Sequence, residues 1–423
     1  VKTIIRGGTV VNADRRQVAD VLIESGIVTE VGSPDTTGAK VVDASGCLVT
    51  PGFVDLHTHL REPGREGAED MVSGTRAAVA GGYTAVVAMP NTEPAIDNAS
   101  VVRHLQQRAT QALCEVQIAG SITIGRAGTQ LTPMAELYDL GVRMFTDDGG
   151  GVQSAGVMRR ALEYASSLDV VIAQHCEDET LSNGGHMHEG TTSALLGVPG
   201  IPAEAEEVMV MRDIALLQMT RASLHFLHLS TEGSVAMVAA AKAQGLRVTA
   251  EATPHHFTLT DEFLASFDPA FKVNPPIRSS DHVDAVRTGL RDGVIDAIAT
   301  DHAPHVPQLK QAAFADAPCG MLGLETAASL ALSELDLTDE RFVEVMSTNP
   351  ARIARLDGAH GRIAVGRPAN ICVIDPAASW TVHGSDLQSK ASNTPYEART
   401  VKGQVRHTFS NGDHVVDETK VIK

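Results

Sequence analysis

Cysteine is scarce and poorly placed for cross-linking. The chain has five in 423 residues. They are Cys47, Cys114, Cys176, Cys319 and Cys372, and none forms a Cys-x-x-Cys pair. An odd set at these spacings argues against a disulfide framework and fits a reducing cytoplasm. Long apolar runs are also missing. None approaches the roughly 18 residues of a membrane-spanning helix. The opening stretch, VKTIIRGGTVVNADRRQ, has no apolar signal core. Its first residue is Val1 rather than Met, which points to a processed or truncated start. Positive charge is in deficit, with 34 Lys and Arg against 52 Asp and Glu and a formal net charge of -18. That balance repels nucleic acid and anionic membranes. A small anionic substrate stays compatible, because one well-placed arginine can outweigh the global field locally.

What remains is an ordinary globular composition, 43% hydrophobic and 20% charged. The length suits one large domain, such as an α/β barrel, plus a smaller one. Residues 1–50 read as short strands with turns, in TIIRGGTVVN, ADVLIESGIVTEVG and AKVVDASGCLVTPG. Residues 358–423 repeat that texture, in GRIAVGRPANICVIDP, SWTVH and VKGQVRHTFSNGDHVV. The two ends are expected to form one small β-sandwich domain around an inserted middle, 51–357. There, eight short apolar runs alternate with helix-like stretches: FVDLH, TAVVAMP, VQIAGSI, VRMFTDD, DVVIAQH, SLHFLHLS, LRVTAEAT and DAIATD. Buried strands alternating with helices predict a parallel sheet, most economically a (β/α)8 TIM barrel.

Ionisable groups collect at the ends of these runs. His57 and His59 close the first, Asp147 and Asp148 the fourth, His175 the fifth, His228 the sixth and Asp301 the eighth. A strand repeats every two residues, so His57 and His59 are expected on one face, at the barrel mouth where catalytic groups sit. A single strand-end histidine is usually a hydrogen-bonded rim residue. Four histidines with aspartates at distinct strand ends suit one or two Zn²⁺-type ions with positions open for water and substrate. His225, three residues before His228, is expected on the opposite side of its strand. His186 and His188, in GGHMHEG, fall in a Gly-rich loop. His255 and His256 are expected behind the ligands. His104, His282, His360, His383, His407 and His414 read as polar or peripheral.

The ordered set VDLHTHLREPG, GGYTAVVAMPNTEPAIDN, FTDDG, QHCED, LHLST, TPHHF, VNPPIR, TDHAPH and GLET resembles the cyclic-amidohydrolase branch of the amidohydrolase superfamily, and within it the bacterial class I dihydroorotases. The resemblance runs from about residue 50 to 330, and GRIAVGRPANICVIDP is similar to the superfamily's C-terminal return to the β-domain. It implies a zinc-dependent enzyme that interconverts dihydroorotate and N-carbamoyl-L-aspartate in pyrimidine biosynthesis. It makes His57, His59 and Asp301 ligands of a more buried metal and His175 and His228 ligands of a second, with Asp148 between them. Asp301 becomes the proton shuttle. Arg61, Asn91, Asn274 and His305 take substrate-binding positions, and Cys319 and Gly320 offer backbone groups to the ring. The family more often has an aromatic where Cys319 stands.

Relatives commonly bridge two metals with a carbamylated lysine. No lysine occurs here between Lys40 and Lys242, so only a carboxylate, Asp148 in preference to Asp147, can bridge. Asp147 is expected to cap or hydrogen-bond. Arg61 either grips a substrate carboxylate or pairs with Glu62 or Glu66 at the rim. The segment 306–318, VPQLKQAAFADAP, has few structural signals and is expected to cover the site as a mobile loop. Two other readings compete. One is a sister allantoinase or hydantoinase. The other is a silent barrel that scaffolds aspartate carbamoyltransferase, which retention of every expected ligand disfavours. Assembly is left open between a homodimer and a complex with that transferase.

Overall fold

The computed structural model describes residues 2–423. Eight parallel strands organise its middle: β1 (Phe53–Thr58), β2 (Tyr83–Ala88), β3 (Glu115–Ile118), β4 (Met144–Phe145), β5 (Val171–Gln174), β6 (Ser223–Phe226), β7 (Val248–Ala252) and β8 (Ala297–Ile298). β1 to β3 form one three-stranded sheet and β4 to β8 a five-stranded one, each in sequence order. Two parallel bridges join them, Gly120 to Phe145 just past β3 and Thr58 to His302 between β1 and the chain after β8. Each strand therefore neighbours the next, and the last returns to the first. β1, β2 and β5 are buried at every residue. That is why β2 and β5 read as near-continuous apolar runs rather than alternating ones.

Helices separate the strands, and their starts are chemically marked. Asp70 accepts from the Val72 and Ser73 amides at the head of Met71–Ala80. Asn98 does the same at Ala99–Ala109. The helix Ala155–Leu168 buries Val157, Met158, Ala161, Leu162 and Ala165, the one-sided spacing of a helix lying on a sheet.

Strands from both chain ends share one sheet. Ile371–Thr381 pairs antiparallel with Leu48–Pro51 on one side and with Thr400–Ser410 on the other. A second, four-stranded sheet comes from the first 43 residues. Ile5, Val21, Ile23, Val42, Val49, Ile371, Val373 and Phe409, drawn from both sheets, lie in one apolar cluster. Among the described residues no helix is long and apolar enough to cross a membrane.

Two local expectations change. GGHMHEG is not only a loop, because Met187–His188 pairs in parallel with Gly200–Ile201. His188 is buried there, where its Nδ1 accepts from Arg278 Nη1 at 3.2 Å. The segment 306–318 is not featureless. It holds a short helix, Pro307–Lys310, and a buried Phe314. Lys310 Nζ donates to the Pro318 carbonyl (3.0 Å) and Lys272 Nζ to the Ala315 carbonyl (2.7 Å).

Candidate metal and substrate site

A cavity of about 300 Å³ opens at the strand ends. Of the residues expected in the site, His59, Arg61, Asn91, Asp148, His175, His228, Asn274, Asp301, His305, Cys319 and Gly320 line it. His57 lies fully buried beside it.

Regular strand periodicity does not bring the histidines together. Pairing of β1 with β2 slips between Asp55 and Thr58, and His59 lies past the strand's last residue. Asp55 takes over the positioning. Its carboxylate accepts from the His57 amide (3.2 Å), the Thr58 hydroxyl (2.9 Å) and the Thr300 amide (2.9 Å). That ties the end of β1 to the residue before Asp301. His225 departs from expectation for a related reason. β6 ends at Phe226, and His228 adopts φ of +30°, so counting by twos fails between them. Arg61 and Asp301 also have left-handed backbones, at φ of +61° and +46°. Such conformations in non-glycine residues are strained and cluster at functional sites.

Each imidazole presents one nitrogen inward because its other nitrogen is committed or turned away. His57 Nδ1–H donates to Glu251 Oε1 at 2.9 Å. His59 Nδ1–H donates to Asn91 Oδ1 at 2.8 Å. His175 Nε2–H donates to Glu177 Oε2 at 3.3 Å. These acceptors fix the tautomers. The inward atoms surround Asp148. Its Oδ1 lies 3.3 Å from His57 Nε2, 3.5 Å from His175 Nδ1 and 3.6 Å from His228 Nε2, and its Oδ2 lies 3.5 Å from His59 Nε2. Asp301 Oδ1 lies 2.9 Å from His59 Nε2 and 3.4 Å from His57 Nε2. Two overlapping triads have all donor atoms within 4.8 Å of one another: His57, His59 and Asp301, and His57, Asp148 and His228. His57 thus belongs to both. His175 stands beside the second, its Nδ1 2.9 Å from His228 Nε2.

The electrostatics match a cation site. Burial pushes Asp148 and Asp301 upward, but the surrounding imidazoles, His57 foremost, pull both carboxyls below their ordinary range. Burial pushes His57 down, and Asp148 with Asp301 overcomes it and drives the imidazole well above its usual value. Yet His57 Nε2, the nitrogen that faces both carboxylates, is buried without any hydrogen-bond partner. An orphaned buried nitrogen beside ionised carboxylates is what a divalent cation resolves.

The other expected residues that line the cavity are held as specifically. Arg61 is buried, its Nε donates to the Pro304 carbonyl at 3.1 Å, and neither rim acid takes it. Glu62 pairs with Arg108 at 2.5 Å, and Glu66 accepts from the Gly64 amide. Burial brings His305 down to about 3, with Arg61 adding to the effect. Neutral His305 donates Nε2–H to the Cys319 carbonyl at 2.8 Å. The Gly320 amide donates to the Lys272 carbonyl. Asn274 Nδ2 donates to Glu177, which leaves Asn274 Oδ1 buried and free. Asp147 is the hydrogen-bonding acid expected, accepting from the Ile122 and Thr123 amides at 2.8 and 3.0 Å. His255 is buried beside His256, with its Nε2 unpartnered.

Four residues near the site went unforeseen. Glu251 joins His57 to His225, whose Nε2 lies 2.9 Å from Glu251 Oε2. Glu177 holds both His175 and Asn274. Asp55 links β1 to Thr300. Arg65 lines the cavity. Glu251 and Asp55 had a visible signal, an acid inside an apolar strand run, since a buried charge must be paired.

Comparison with known proteins agrees with the geometry. The dihydro-orotase-like family profile matches residues 46–234. The dihydroorotase of Pelotomaculum thermopropionicum is 47% identical over 430 aligned residues, covering 100% of both chains. The chain belongs to the dihydroorotase family. The dihydroorotase of Mycobacterium tuberculosis is 46% identical, covering 95% of this chain and 96% of that one. Among solved structures, the L-hydantoinase (dihydropyrimidinase) of Arthrobacter aurescens superposes with a TM-score of 0.91 at 24% identity, over 100% of this chain and 97% of that one. The dihydropyrimidinase of Brevibacillus agri NCHU1002 gives 0.87 at 25%, over 100% and 96%. These place the dihydroorotase family chain among amidohydrolases in fold.

Proposed function

We propose that this chain is a zinc-dependent dihydroorotase that interconverts (S)-dihydroorotate and N-carbamoyl-L-aspartate in cytoplasmic pyrimidine biosynthesis. The observation that carries this reading is the ring of four imidazoles around Asp148, each with a nitrogen turned inward. His57, His59 and Asp301 would hold one ion. His175 and His228 would hold another, with Asp148 reaching both. A bound divalent ion supplies an acidified water and polarises a carbonyl. The remaining chemistry belongs to the chain. Asp301, kept ionised by its neighbours, takes a proton from water and returns it to the departing ring nitrogen. Arg61 presents a planar fork to the substrate carboxylate, with His305 beside it. The free Asn274 Oδ1 accepts from a ring N–H. Asn91 lines the cavity, but its amide oxygen is committed to His59, so it orients that ligand as well. The Cys319 and Gly320 backbone borders the ring.

We read the ring of eight strands as a (β/α)8 barrel, residues 51–357, carrying a β-sandwich built from 1–50 and 358–423. Unpaired cysteines support a reducing compartment. The structural likeness to hydantoinases keeps a hydantoin-cleaving enzyme as the second reading, and the carboxylate at Asp148 in place of a lysine speaks against it. Turnover of dihydroorotate, hydantoin and allantoin by the Zn²⁺-loaded chain separates the two. Dihydroorotate is expected to be the preferred substrate, and preference for either of the others would refute the assignment.

A further inference from the structure

The sheet built from the two chain ends carries a second cluster of ligand-type side chains. His407 stands in strand Thr400–Ser410, His414 and Asp417 in the neighbouring strand Asp413–Asp417. His407 Nδ1 lies 3.2 Å from Asp417 Oδ1 and 3.3 Å from His414 Nε2, and His414 Nε2 lies 3.8 Å from Asp417 Oδ1. Ligand bonds of about 2.0–2.2 Å in tetrahedral arrangement put donor atoms roughly 3.3 Å apart. The triangle has that size. Both imidazoles are largely buried, and His414 is stacked on Phe409 at 4.4 Å and 10°. The ring is thus held in place before any ligand arrives.

The protons in this cluster do not fit. Lys40 Nζ sits 3.3 Å from His414 Nδ1. An ammonium can only donate, so His414 Nδ1 must be the acceptor and Nε2 must carry the hydrogen. His414 Nε2–H then needs His407 Nδ1 as its acceptor. That places the His407 lone pair against the Asp417 carboxylate. If His407 Nδ1 is protonated to satisfy Asp417, it faces the His414 hydrogen instead. While Lys40 stays an ammonium, no arrangement of protons on the two rings satisfies all three contacts. A cation at the centre satisfies both imidazole nitrogens and the carboxylate together. The cost is release of Lys40, whose side chain is half exposed.

We propose that His407, His414 and Asp417 form a second divalent-metal site, separate from the reaction centre, with Lys40 as a built-in competing cation. Two imidazoles and one carboxylate suit a borderline transition ion such as Zn²⁺ or Co²⁺, with a fourth position open to water. Glu418 Oε1 lies 3.7 Å from His407 Nε2, on the ring's far side, where it can support that ligand.

The test is equilibrium dialysis of metal-stripped full-length chain against Co²⁺. Wild type is expected to bind one ion per chain more than His414→Gln and Asp417→Asn. Those variants should turn over dihydroorotate at the parental rate once the reaction centre is loaded. Lys40→Met, a surface change, should tighten binding of the extra ion. Equal stoichiometry in wild type and folded variants would overturn the site. Should the buried-histidine variant fail to fold, unchanged Co²⁺ affinity in Lys40→Met overturns it equally. Because the readout is the difference in bound metal, its failure is distinct from loss of dihydroorotate turnover.

Discussion

Glu251 should decide how well His57 binds metal, although it touches no substrate. Burial pushes its carboxyl up, but hydrogen bonds from His225 and His57 bring it to about 2, so it is ionised at neutral pH. One oxygen fixes the His57 tautomer and the other is held by His225. Glu251→Leu leaves His57 Nδ1–H, His225 Nε2 and the His228 amide without partners. At about 1–3 kcal/mol for each unsatisfied buried group, stability should fall by roughly 3–9 kcal/mol. Glu251→Gln is gentler. Its carbonyl can still accept from His57, and its amide can donate to His225 if that ring moves its proton to Nδ1, which faces Thr249 Oγ1 at 2.8 Å. Supporting contacts of this kind are worth about 10–100-fold in metal affinity, or 1.4–2.7 kcal/mol. Competition with a chromophoric chelator should place Glu251→Gln near the lower bound and Glu251→Leu near the upper. If both bound metal within about twofold of the parent, the claim that Glu251 orients His57 would be wrong.

Further outcomes follow from the same geometry. Asp301→Asn should lower kcat for dihydroorotate by at least about 10²-fold while far-ultraviolet circular dichroism stays parental; near-normal turnover would remove Asp301 as proton shuttle. Arg61→Met should raise KM by roughly 10–100-fold, the worth of a charge-assisted contact of about 1.5–3 kcal/mol, and an unchanged KM would make Arg61 a structural cation. His256 is buried, accepts from Thr253 at Nδ1 and donates to the Pro275 carbonyl at Nε2, and burial lowers it to about 3. Below about pH 6.5 the unfolded chain binds a proton that the native His256 refuses until about pH 3, so stability falls as pH drops through that window. At pH 4 this is about 3 kcal/mol. Urea unfolding of His256→Gln at pH 7 and pH 4 should show a gap smaller by that amount, and an unchanged gap would contradict the assignment.

Much of the site was legible because its residues lie where strand runs end. His57, Asp148, His175, His228 and Asp301 each close an apolar run, and the cavity gathers the last four with Arg61, Asn274 and His305, with His57 buried beside it. The supporting shell was less legible. Glu251 and Asp55 sit inside apolar runs, and their partners are far away in sequence: His57 is 194 residues from Glu251, and Thr300 is 245 from Asp55. Period-two counting also stopped where β1 slips and β6 ends. His225, placed away from the site by that count, instead reaches His57 through Glu251. His407 and His414 looked peripheral because only strand pairing brings them together with Asp417.

The most direct test strips the chain of metal with a chelator, reloads it with Zn²⁺, and follows ring opening of dihydroorotate against bound zinc. Turnover is expected to vanish on stripping and to return in proportion to ion bound at the His57, His59 and Asp301 cluster. A stripped chain that opens the ring at the loaded rate, or a fully loaded chain that leaves dihydroorotate intact, would contradict the account.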